Sequence, residues 1–89
     1  MANKRTLKHA INLICAELLA ECIAASLYRT EAHKDNAEAL FHTILTMQAN
    51  FCSRVSHPEP GMKASAYYKD LREKFTAQVG EIVDQINNL

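Results

Sequence analysis

The chain has 89 residues, 48% hydrophobic and 22% charged, the balance of one small folded domain and not of a disordered segment. Ten basic residues against ten acidic ones leave a formal net charge of zero, so it lacks the basic surplus on which nonspecific nucleic-acid and anionic-membrane binders rely. Near-neutrality also does little to oppose self-association.

The first predicted helix covers about 4–29, with Asn3 or Thr6 able to cap its start. Leu7, Ile11, Ile14, Cys15, Leu18, Cys22 and Ala25 recur at steps of three and four and mark its core side. Ala10, Leu19, Ile23 and Leu27 widen that stripe well beyond a two-helix seam. A basic start (Lys4, Arg5, Lys8) before apolar residues has the outline of a secretory signal. Asn12, Glu17 and Glu21 interrupt it, however, and removing it would delete about a third of the domain. The expectation is that no apolar run is long enough to cross a bilayer and that the protein is cytoplasmic.

The second predicted helix covers about 36–55 and opens at "DNAE", where Asp35 suits an N-cap and Glu38 the returning acid of a capping box. Ala37, Leu40, Phe41, Ile44, Leu45, Met47, Phe51, Cys52 and Val55 mark its buried side. Pro58 disfavours the helical region at His57, so the helix should stop near Val55–Ser56. The connection that follows holds both prolines and one of the two glycines of the chain. Pro60-Gly61 suits the central positions of a type II turn, with glycine supplying positive φ. The sharper alternative makes His57, Glu59 and Met62 an exposed recognition loop.

The third predicted helix covers about 62–87, with Ala64, Tyr68, Leu71, Phe75, Val79, Ile82, Ile86 and Leu89 in a heptad-like stripe. Lys69 with Glu73 and Asp70 with Lys74 stand as opposite charges four residues apart on its wet side. No alternating run or hairpin dipeptide suggests a strand. The fold expected is a single all-α domain over 1–89, an up-down-up antiparallel three-helix bundle, dimerised.

Chemistry is hard to find. Cys15 and Cys22 are seven residues apart, about 10 Å along one helix and too far for a disulfide. With Cys52 they fall on apolar faces, where free cysteine acts as a small hydrophobe. Histidines 9, 33, 42 and 57 form no metal-binding or di-iron pattern, no glycine-rich loop cradles a phosphate, and no nucleophile motif occurs. Lys63, Lys69, Arg72 and Lys74 are interleaved with Asp70 and Glu73, which spoils a phosphate-binding stripe. No catalytic, cofactor or metal residue is assigned, and neither nucleic acid nor membrane is expected as a partner.

The surfaces say more. Residues 39–53 contain no Asp, Glu, Lys or Arg, and the outer face there carries Ala39, His42, Thr43, Thr46, Ala49, Asn50 and Ser53. Small, mildly polar side chains permit close backbone approach, so this face is the expected interface, with the surplus apolar surface of the first helix beside it. A two-fold homodimer is the commonest closed solution. The function expected is a non-enzymatic, homo-oligomeric interaction or regulatory module, with another protein as the other possible partner. The alternative is a bundle that holds a metal or small ligand between its helices through His and Cys.

"RVSHPEPGMKA" (54–64) and the ending "EIVDQINNL" resemble a small family of all-helical bacterial proteins with no assigned activity. The resemblance implies a helical bundle and transfers no cofactor or catalytic residue.

Overall fold

The computed structural model describes residues 4–27 and 31–89, which form three helices and no strand: α1 (Lys4–Leu27), α2 (Glu31–Ser56) and α3 (Ala64–Asn87). They pack as an elongated bundle of 48 × 19 × 16 Å, the length being that of helices 24–26 residues long.

The helix starts differ from those the sequence suggests. Thr6 lies inside α1, not at its cap, and Asn3 lies outside the described residues. Asp35 and Glu38 form no capping box, because α2 already begins at Glu31. The segment from Glu31 to Lys34 holds neither glycine nor proline, so nothing stops the helix from starting a turn earlier. At the other end the proline rule holds, and α2 stops at Ser56. Helix α3 starts two residues later than expected because the chain is still turning at Met62: its N–H donates to the Glu59 carbonyl at 3.4 Å. Gly61 has φ +88°, the conformation a type II turn requires at that position. Lys63 is extended and caps α3 without a side-chain hydrogen bond.

One apolar core runs through the bundle. It takes Ile11, Cys15, Leu18 and Cys22 from α1, and Ala37, Leu40, Ile44, Met47, Phe51 and Val55 from α2. Leu71, Phe75, Ile82, Ile86 and Leu89 complete it. Leu7, Ala25, Phe41, Cys52, Tyr68 and Val79 pack around it half-buried. Three expected core residues are exposed instead. Ile14 (39%) and Leu45 (41%) point roughly 60–100° away from the lines through Ile11–Leu18 and Ile44, and Ala64 precedes the first packed turn of α3. The third helix is held by tyrosines. Tyr68 donates to the Val55 carbonyl at 3.0 Å, and Tyr67 to the Arg54 carbonyl at 2.8 Å with the His57 carbonyl in reach at 3.3 Å. These are carbonyls that the end of α2 leaves without helical partners. At the far end of α3 the Asn88 backbone and side-chain amides both donate to the Asp84 carbonyl.

The expectation about membranes needs correction. Helix α1 is long and apolar enough, by length and composition, to cross a bilayer, and only 22% of that apolar window is buried in the bundle. Its internal acids, Glu17 and Glu21, do not offset the leucine, isoleucine, alanine and cysteine around them.

Candidate interaction surface

Helix α1 buries its core line and leaves its opposite side bare. Leu13 is 58% exposed, Ile23 50% and Leu27 74%. Ala16 and Ala20 stand exposed on the same side, while Ala24 lies toward the flank that Glu17 and Glu21 occupy. The reason lies in the packing: α1 meets α2 extensively and α3 least of all, so two neighbours cannot surround a helix that is apolar on most of its circumference. Scattered exposed leucines are ordinary; here Leu13, Ile23 and Leu27 stand on one side of a single helix.

Helix α2 borders this face. Asn12 Oδ1 accepts from Gln48 Nε2 at 2.8 Å and from the Cys52 thiol at 3.3 Å. Leu45 and Ala49, each one turn before these donors, are exposed. The six residues expected to form an interface, Ala39, His42, Thr43, Thr46, Ala49 and Ser53, are all exposed. They do not share one function-ready patch. His42, Thr43 and Thr46 edge a shallow 330 Å³ groove with Asn50, Arg54 and Gln78 of α3, while Ala39 and Thr43 edge another with Gln85 and Asn88. The Thr43 hydroxyl is already used on the Ala39 carbonyl, 3.0 Å away.

The connection between α2 and α3 exposes His57, Glu59 and Met62, but it does not bring the three together. Glu59 and Met62 line an open 270 Å³ hollow with Arg54, Tyr67, Asp70 and Lys74, and His57 lies outside it. Along α3, at the edge of that hollow, Lys74 pairs with Asp70 at 2.9 Å; Lys69 and Glu73 form no such bridge.

The thiols suit packing better than reaction. Burial pushes Cys15 up to about 11, and Cys52 nearby adds to the effect. Burial likewise raises Cys22, whose thiol donates to the Ala37 carbonyl at 3.3 Å. A thiol so shifted is protonated at neutral pH and is a poor nucleophile there. Among the described residues no group of three His, Cys, Asp or Glu side chains is placed to hold a metal ion.

Sequence reading anticipated the surplus apolar surface of α1 but placed the interface chiefly on α2. It missed Leu13 entirely. Plotting positions 13, 16, 20, 23 and 27 on a helical wheel would have exposed a second stripe opposite the first. The contact of Asn12 with Gln48 had no sequence signal. No protein-family model, no curated protein and no solved structure matches the chain.

Proposed function

We propose that this protein is a non-enzymatic helical interaction module that works as a homodimer, built from an up-down-up antiparallel three-helix bundle. The direction of the helices is supported by the pairing of Asn12 with Gln48 and of Cys22 with Ala37: as numbers rise on α1 they fall on α2. One observation carries the functional reading. Leu13, Ile23 and Leu27, all on the most apolar helix, are the most exposed large hydrophobic side chains among the described residues. Covering such a surface releases ordered water and stabilises association by roughly 25 cal/mol per Å² removed from water. The absence of charge along residues 39–53 leaves the neighbouring face compatible with a close partner. Zero net charge does not oppose it.

Light scattering of the purified chain across a wide concentration range tests the reading. A mass that rises to twice 10.0 kDa is expected, and a monomer throughout contradicts it.

A second reading has one observation in its favour. Cys22, Ile23, Leu27, Ala37 and Phe41 line an open, mainly apolar 330 Å³ groove between α1 and α2, bordered by Lys34 and Glu38. A small apolar ligand with one polar group would fit it. An absorption spectrum and native mass spectrometry of the purified protein would reveal one.

A further inference from the structure

We draw no further inference here: the strongest candidate, the apolar side of α1 that bares Leu13, Ile23 and Leu27 to solvent, carries nothing, because nothing in the structure shows what covers it.

Discussion

The rings of Phe51 and Phe75 meet edge to face, their centroids 5.2 Å apart and their planes at 69°, where α3 closes on α2. Both are buried, and Arg54 stands over the outer side of Phe51, 5.1 Å from its centroid. Phe75→Ala removes the pair and leaves a void. We expect it to lower stability by about 3–5 kcal/mol in urea melts. A loss below about 1 kcal/mol would mean that α3 does not pack as described.

The two tyrosine hydroxyls tie the start of α3 to the end of α2 through the Val55 and Arg54 carbonyls. Tyr68→Phe keeps the ring, half-buried against the core, and deletes only the donor. It should cost about 1–1.5 kcal/mol, and the double change with Tyr67→Phe more, since the loop then loses both anchors. Unchanged melts for the double variant would show that water replaces the hydroxyls without loss.

The glycines should behave oppositely. At Gly61 a β-branched residue is forced into φ +88°, and Gly61→Val should destabilise by about 1–2 kcal/mol. Gly80 lies inside α3, and a Cβ built there meets nothing within 4 Å. Gly80→Ala should therefore stabilise by about 0.5–1 kcal/mol. His57→Ala with Glu59→Ala should move the melting midpoint little. Equal tolerance at positions 57, 59 and 61 would remove the turn as a determinant.

Alkali should unfold the protein through its thiols. Cys15 is raised from 9.0 to about 11 by burial, then by Cys52. Above pH 9 the unfolded chain releases the Cys15 proton while the folded one keeps it, so stability falls between pH 9 and about 11. Each pH unit in that window removes about 1.4 kcal/mol per such group, and Cys22 acts in the same direction. Cys15→Ala should flatten the slope of stability against pH. An identical slope in parent and variant would contradict the assignment.

The fold was legible because helical periodicity and the two prolines act locally. The lines through Ile11–Cys22 and Leu71–Ile86 and the stop at Ser56 follow from spacing and from proline alone. What failed depends on tertiary context. Ile14 and Leu45 are as apolar as their buried neighbours, and only the angle at which the helices meet leaves them outside. Asp35 has the chemistry of a cap, but four permissive residues before it let α2 begin earlier. The tyrosine anchors join residues 13 apart across a turn whose geometry no propensity specifies. The bare side of α1 was half legible: surplus apolar residues on α1 were visible, but which side stays bare depends on where α2 and α3 sit.

The claim on which the account turns is that the bare side of α1 is covered by a second copy of the chain. Sedimentation velocity of the parent and of a Leu13→Glu, Ile23→Glu variant, over micromolar to millimolar concentration, measures it directly. Both residues are half or more exposed in the single chain, so the variant should keep its helices. The account predicts a dimer for the parent and a folded monomer for the variant. A monomeric parent at millimolar concentration, or a variant that dimerises as tightly as the parent, would contradict it.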